Sequence, residues 1–324
     1  MKPNAYLLKD ILKPEMKATR DGYGEGLVLA GEKNKNVVVL CADLTESTRS
    51  LAFQKKFPER FVELGVAEQN MASVAAGMAL EGKVPFVSSY ATFSPGRNNE
   101  QIRPTIAYNE ANVKIAGAHA GISVGPDGAT HQALEDIGLM RMLPGMTVIV
   151  PCDYEEAKKA TVAAAEMAGP VYLRFGREKS PMMTTSHTPF KIGRAEVFKD
   201  GRDAVIFACG PLVYNALRAA LDLEAEKISV AVVNHHTVKP LDGETILKCA
   251  HKTRAVVTVE EHQIYGGLGG AVAEFLAGAL PAPMEFIGVH DKFGESGRPD
   301  ELIEKYGMGV ESIKKVVRKV LTRK

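Results

Sequence analysis

Short runs of apolar, largely β-branched residues alternate along this chain with longer segments in which apolar residues return every three or four positions. The runs Val37–Leu44, Val84–Tyr90, Val113–His119, Met146–Cys152 and Val171–Phe175 are apolar almost continuously. That is the pattern of strands buried on both faces of a sheet. The segments between them, Thr19–Glu32, Glu68–Leu80, Asn98–Tyr108, His131–Met142 and Asp153–Ala168, carry the helical period. Alternation of this kind predicts a parallel sheet with helices on both faces. Two prolines and a polar stretch across Ser180–Pro189 interrupt it. A second alternation follows, with strands at Ala204–Cys209, Ile228–Val233, Ala255–Val259 and Met284–Val289. Its helices are Val213–Glu224, Gly243–His251, Gly267–Leu276, Arg298–Lys305 and Val310–Leu321. The fold class is therefore α/β. The expected division is an N-terminal extension (1–15), a parallel-sheet domain (16–180), a linker (181–192) and a smaller α/β domain (193–324).

Composition narrows the function classes. The 324 residues carry a formal net charge of +1, so bulk electrostatics implies no nucleic-acid partner. No apolar run approaches a membrane span, so no membrane partner is expected. The cysteines Cys41, Cys152, Cys209 and Cys249 form no CxxC pair, which points away from zinc and from a disulfide framework. They read as buried free thiols of a reducing compartment, and residues 1–13 do not read as a secretory signal. A cytoplasmic protein is expected.

Ligands of open parallel sheets bind at the carboxyl ends of the strands. There this sequence gathers its polar and glycine residues: Cys41–Thr48, Ser88–Phe93, Gly117–Gly121 with Val124–Gln132, and Leu173–Arg177. The acids, histidines, arginines and hydroxyls of these segments suit a polyhydroxylated, phosphorylated substrate, because arginine's planar fork binds two phosphate oxygens at once. Two glycine-rich segments read otherwise. Gly266–Gly270 lacks the strand and acidic partner of a dinucleotide loop and reads as close helix packing. Gly125–Gly128 lacks a following asparagine element of a metal motif.

The motifs Gly65-Val66-Ala67-Glu68-Gln69-Asn70-Met71 and Asp127-Gly128-Ala129-Thr130-His131-Gln132 resemble transketolase. So do Ala18-Thr19-Arg20, Lys239-Pro240-Leu241-Asp242, Val259-Glu260-Glu261-His262 and Phe293-Gly294-Glu295-Ser296-Gly297. The likeness runs in order from about residue 16 to 320. It implies a pyrimidine-type thiamine-diphosphate-binding domain followed by a transketolase C-terminal domain. The implied activity is ketol transfer between ketose and aldose phosphates, as in the pentose phosphate pathway. The resemblance implies that Glu68 is catalytic and faces N1′ of the cofactor's aminopyrimidine, where a shared proton favours the imino tautomer. The alternative for an isolated glutamate is a solvated helix cap. Phe93 would stack on the pyrimidine with Tyr90 contributing, although Pro95, Gly96, Asn98 and Asn99 stand where further aromatics are usual. Asp43 would lie near the cofactor, and His131 between cofactor and substrate. Arg20, Ser47, His119 and Arg177 would bind the sugar phosphate, with Arg174 competing for the phosphate, and Asp127 would accept from the substrate 2-hydroxyl. His235, His236, His251 and His290 read as structural.

The resemblance further implies that magnesium and the diphosphate are held elsewhere. An N-terminal transketolase subunit carrying the diphosphate-binding domain would complete an α2β2 assembly, and no metal ligand is expected in this chain. Small residues after Glu68 (Ala72, Ser73, Ala75, Ala76, Gly77, Ala79) suit an interface or intrachain packing equally. The rival readings are a 2-oxo-acid dehydrogenase beta subunit, a 1-deoxyxylulose-5-phosphate synthase-like enzyme and a regulatory or assembly subunit.

Overall fold

The computed structural model describes residues 6–324. Its strands, in chain order, are β1 (Met16–Ala18), β2 (Val37–Cys41), β3 (Phe61–Glu63), β4 (Val84–Tyr90), β5 (Lys114–Ala118), β6 (Thr147–Ile149) and β7 (Val171–Arg174). They continue with β8 (Lys179–Pro181), β9 (Glu196–Lys199), β10 (Ala204–Ala208), β11 (Val230–Asn234), β12 (Thr237–Lys239), β13 (Val256–Gln263) and β14 (Met284–Val289).

The larger sheet has the order β12-β6-β7-β5-β4-β2-β3. Every pairing in it is parallel except that of β12, which runs antiparallel to β6. The smaller sheet has the order β14-β13-β10-β11-β9, parallel apart from β9. The continuous apolar runs are accounted for by burial: every residue of β2, β5, β7, β10 and β11 is buried. The short strands β1, β3, β8, β9 and β12 carry no such run, and the hydrophobic pattern did not reveal them.

Two helices predicted from periodicity take other forms. The segment His131–Met142 becomes helical only from Asp136 to Arg141. Residues 131–135 are drawn out because Ala133 bridges Ala120 and Gln132 is buried, donating to the carbonyls of Ile122 and Glu295. Within Asn98–Tyr108, residues 102–108 form a π-helix. Pro104 lies inside it and has no N–H to give to an α-helical ladder. The helix Thr19–Lys33 packs tightly on Tyr154–Glu166. A Cβ at Gly22 would run into the Tyr154 carbonyl, and one at Gly26 would meet Thr161 Cβ at 2.6 Å. Only glycine permits that approach.

Residues 181–192 are not a slack connection. The Asp153 carboxylate accepts from Met183 N at 2.7 Å, Thr184 N at 2.6 Å and Thr184 Oγ1 at 2.7 Å. β1 pairs with β8, whose last residue, Pro181, opens this segment. Of the N-terminal segment 1–15, residues 1–5 lie outside the described residues; Leu7 and Ile11 are buried against the body. One hydrophobic core runs through both sheets, joining Ile115, Val148 and Tyr172 with Phe207, Val233 and Leu268. All four cysteines are buried and free. Among the described residues no helix is long and apolar enough to cross a membrane.

Candidate active site

The carboxyl ends of β2, β4, β5 and β7 face one side of the larger sheet, and the chain leaves each of them carrying polar side chains. Two of these exits pass through left-handed backbone at non-glycine residues: Asp43 at φ 59° and His119 at φ 53°. Such conformations cost of order 1–3 kcal/mol each and persist where the surroundings fix them.

After β4, Tyr90 stacks on His119 with ring centroids 3.8 Å apart and planes 22° from parallel. Phe93 is stacked against Tyr90, its plane 15° from parallel, with centroids 5.9 Å apart. His131 meets both rings edge-on, at 6.3 Å from Tyr90 and 5.4 Å from Phe93. Thr130 and His131 contact through Oγ1 and Nδ1 at 2.8 Å.

Glu68 opens the helix Glu68–Leu80 and is 1% exposed. Its carboxylate accepts from Arg97 Nη1 at 2.8 Å. Asn98 ties the same helical turn to the Phe93 loop by donating to the Glu68 carbonyl at 3.0 Å and to Ser94 Oγ at 3.2 Å. The Arg97 guanidinium also lies over the Phe93 ring, 4.6 Å from its centroid. Arg97 did not stand out in the sequence, and Asn98 did so only as a place where an aromatic is usual, because each acts through a loop-to-helix contact that no local spacing announces.

A cationic corner adjoins the rings. Arg20 Nη1 donates to the Ser47 carbonyl at 2.9 Å and reaches His119 Nε2 at 3.3 Å. Burial, followed by the charges of Arg20, Arg177 and Arg49, pushes His119 down to about 3. The imidazole is therefore neutral at physiological pH. Arginine can only donate, so Nε2 is the acceptor and the ring hydrogen sits on Nδ1. Nδ1 is buried with no protein partner, as is Arg20 Nε. The corner thus holds two buried donors without a protein acceptor, an arrangement that costs free energy until something accepts from them. Arg177 donates to the Val124 carbonyl at 2.9 Å and stands 3.5 Å from Asp127.

Arg174 takes no part in this corner. It is 5% exposed and donates to Asp136 Oδ2 at 2.7 Å, Asp136 Oδ1 at 3.2 Å and the Glu261 carbonyl at 2.8 Å. Its fork is spent on core polar groups, a correction to its expected competition for phosphate. Asp43 lies at the β2 end with its side chain exposed, and its N–H donates to Glu63 Oε1 at 2.7 Å. Glu63 also accepts from Thr45 Oγ1 at 2.9 Å and Gly65 N at 3.0 Å, bracing the loops on either side. Ser47 enters through its carbonyl contact with Arg20.

The smaller domain supports the loop that carries Asp127. Glu261 accepts from Ser123 N at 2.6 Å, and a Cβ at Gly121 (φ 90°) would collide with the Glu261 side chain. Gln132 reaches across to the Glu295 carbonyl at 3.0 Å. His262 is buried and structural, with Nε2 accepting from Gly138 N at 3.3 Å. The glycines of 266–270 seat their helix on Glu260, which accepts from Leu268 N at 2.8 Å and Gly269 N at 2.7 Å. A carboxylate already fills the anion position of that helix start. His235 and His236 are wholly buried; His251 and His290 lie on the surface. Among the described residues no group of three or more His, Cys, Asp or Glu is assembled to hold a metal ion.

Comparison with known proteins adds a family. The family model "Transketolase, pyrimidine binding domain" matches residues 15–182, and "Transketolase, C-terminal domain" matches residues 193–313. A Methanocaldococcus jannaschii protein provisionally named a transketolase C-terminal section is 48% identical over 302 residues, 92% of this chain and 95% of that one. A 6-deoxy-6-sulfo-D-fructose transketolase subunit from Clostridium sp. (strain MSTE9) is 39% identical over 305 residues, 94% of this chain and 95% of that one. Among solved structures, one titled as a split gene transketolase, inactive beta4 tetramer, is 48% identical. It superposes with a TM-score of 0.89 over 94% of this chain and 98% of that chain.

Proposed function

This chain belongs to the transketolase family as the C-terminal subunit of a split-gene enzyme, and from that premise we propose that it supplies the pyrimidine side and most of the sugar-phosphate pocket of a thiamine-diphosphate-dependent ketol transferase. The observation that carries the reading is the juxtaposition of a buried acid, a pair of stacked rings and a cationic corner at one end of the larger sheet.

The residues fit the cofactor's pyrimidine. An aminopyrimidine needs a carboxyl partner for its ring nitrogen and a flat apolar face, and Glu68 and Phe93 offer both, with Tyr90 behind. Bound thiamine diphosphate supplies a nucleophilic carbon able to cleave and remake the bond beside a ketose carbonyl. Glu68 would hold the proton shared with the pyrimidine nitrogen, in a site dry enough for one hydrogen bond to matter. His131, edge-on to Phe93, would separate cofactor from substrate. The Nδ1–H of His119 and the Nε–H of Arg20 are unspent donors for phosphate or hydroxyl oxygens. Arg177 would add charge, and Asp127 beside it an acceptor for the substrate 2-hydroxyl. Ser47 would line the same pocket, and Asp43, exposed at the β2 end, would approach the cofactor from its edge.

The reading includes a partner. Magnesium and the diphosphate would be held by an N-terminal subunit, in an α2β2 assembly with two active sites. Support comes from relatives matched over nearly their whole length that are themselves described as a section, a subunit or a split-gene product. It comes also from the surface at the Glu68 helix, where Val66 is 69% exposed and Gly77 opens onto free space. The buried free thiols support a reducing, cytoplasmic setting.

The test is reconstitution. The full chain, mixed with a subunit bearing the diphosphate-binding domain, thiamine diphosphate and magnesium, should consume xylulose 5-phosphate in the presence of ribose 5-phosphate. Comparable turnover by this chain alone would refute the two-subunit reading, and unchanged turnover in Glu68→Gln would refute the role of Glu68.

A further inference from the structure

Arg97 is held by a loop with little freedom. Its N–H donates to the Phe93 carbonyl at 3.1 Å, and Gly96 N donates to the Ala91 carbonyl at 3.0 Å. A Cβ at Gly96 would strike the Thr92 carbonyl, and Asn98 pins the loop to the Glu68 turn. The Arg97 side chain is 46% exposed, whereas its partner Glu68 is 1% exposed. It nevertheless lies inward, donating to Glu68 Oε2 at 2.8 Å while its flat face covers the Phe93 ring at 4.6 Å.

Those two contacts are the ones an aminopyrimidine would make in the same place once the shared proton sits on its ring nitrogen: an N–H toward the carboxylate and a planar face on the phenyl ring. A guanidinium reproduces both, being flat, delocalised and cationic with its donors in the plane. One carboxylate oxygen and one ring face cannot serve both groups. Resting on the reading that Glu68 and Phe93 hold the pyrimidine, we infer that Arg97 is a built-in stand-in for the cofactor, seated in the lone subunit and displaced when the pyrimidine enters.

The arrangement has a physical purpose. A buried carboxylate without a partner is strongly destabilising, and a subunit awaiting its partner and cofactor would otherwise carry one. The stand-in is also replaceable, since its half-exposed guanidinium returns to water when it leaves and its cation–π contact is worth about 1 kcal/mol or less. Arg97 is on this view a positioning residue: it gives the buried Glu68 carboxylate a partner, and it sets the ease with which the pyrimidine gains entry.

The test uses the isolated full chain and the free pyrimidine 4-amino-5-hydroxymethyl-2-methylpyrimidine, titrated calorimetrically. Arg97→Ala should bind this probe with a Kd about five- to tenfold lower than the parent chain, the loss of the competing contacts expressed as affinity. Its unliganded form should melt below the parent, and saturating probe should close that gap. Equal or weaker binding by Arg97→Ala, or binding by neither chain, overturns the inference. Turnover of Glu68→Gln in the reconstituted enzyme separates the two levels. If that variant is inactive while Arg97→Ala gains no affinity, only the stand-in fails. If it is fully active, the pyrimidine reading itself fails.

Discussion

Replacing Arg174 by methionine separates two arginines that the sequence leaves in competition. Methionine keeps most of the volume but removes the charge. Asp136, 1% exposed, would be left with the Tyr172 hydroxyl, which donates at 2.6 Å, in place of a two-pronged guanidinium at 2.7 and 3.2 Å. Breaking a buried pair from one side costs about 3–5 kcal/mol. At about 2–4 °C per kcal/mol for a domain of this size, the melting temperature should fall by roughly 10 °C. Burial raises the Asp136 carboxyl, but the charge and hydrogen bonds of Arg174, with His262 and the Tyr172 hydroxyl, together outweigh it and the folded value lies below the ordinary one. The pair's stabilisation is therefore complete above the unfolded carboxyl's pKa of about 4 and is lost as pH falls through the folded value. The gap between parent and variant should be full at pH 7 and narrow only in strong acid. Arg177→Met touches a side chain 29% exposed, held by one carbonyl and two loose ion pairs, to Asp127 and Glu178. It should shift the melting temperature little, since such contacts are worth about 1 kcal/mol or less. In the reconstituted enzyme it should raise KM for a phosphorylated ketose about tenfold, the loss of one charge-assisted contact. Calorimetric melting and steady-state kinetics on both variants decide the matter. A Arg174→Met chain that melts with the parent, or that raises KM while Arg177→Met does not, refutes the reasoning.

His119 is pushed down to about 3 and so stays neutral above pH 5; KM for the phosphorylated ketose should show no break near pH 6.5 that His119→Asn abolishes, and a break that vanishes in the variant would contradict the neutral-donor assignment. Burial pushes Glu156 up to about 7, with Asp153 adding to it. A folded value raised above the unfolded one makes the protein most stable below about pH 4.5 with respect to this group. That contribution declines as pH rises toward 7 and amounts to about 3 kcal/mol. Glu156→Gln should flatten the decline in melting temperature between pH 5 and 7.5, and an unchanged slope would count against it. Gly121→Ala combines a φ of 90° with a collision against Glu261; a cost of about 2 kcal/mol in chemical denaturation is expected, together with weaker sugar-phosphate binding as the Asp127 loop loosens.

The sequence carried the larger sheet well, because strands covered on both faces must be apolar at every position, as Val37–Cys41 and Val171–Leu173 are. It carried the site as a set of strand ends for a related reason: a parallel sheet turns all its carboxyl ends to one side. It did not carry Thr237–Lys239, whose three residues hold a place at a sheet edge by hydrogen bonding rather than by an apolar signature. It misread His131–Glu135, where helical spacing yields to the bridge between Ala120 and Ala133. Arg174 and Arg177 differ by three positions and look alike in sequence. One points into the core and the other stands part-exposed beside Asp127, and only Asp136, brought near by folding, tells them apart. Arg97 and Glu63 escaped notice, and Glu261 was legible only as part of a family motif, for the same cause, since each acts on a residue that is distant in sequence or on another loop.

The antiparallel strand β12 has a consequence for how the chain comes to be made. Its three residues belong to the second α/β unit, yet they cap the larger sheet by pairing with β6. A ribosome releasing the chain from its N-terminus completes the first unit's own strands by β7, some sixty residues before that cap emerges. During this interval β6 has one flank unpaired, and an uncovered edge recruits strands from other chains. A gene cut at the boundary near residue 192 would make that interval permanent. The seam between the two units is therefore a poor place to divide this protein, and the two are expected to be inherited, expressed and engineered as one piece.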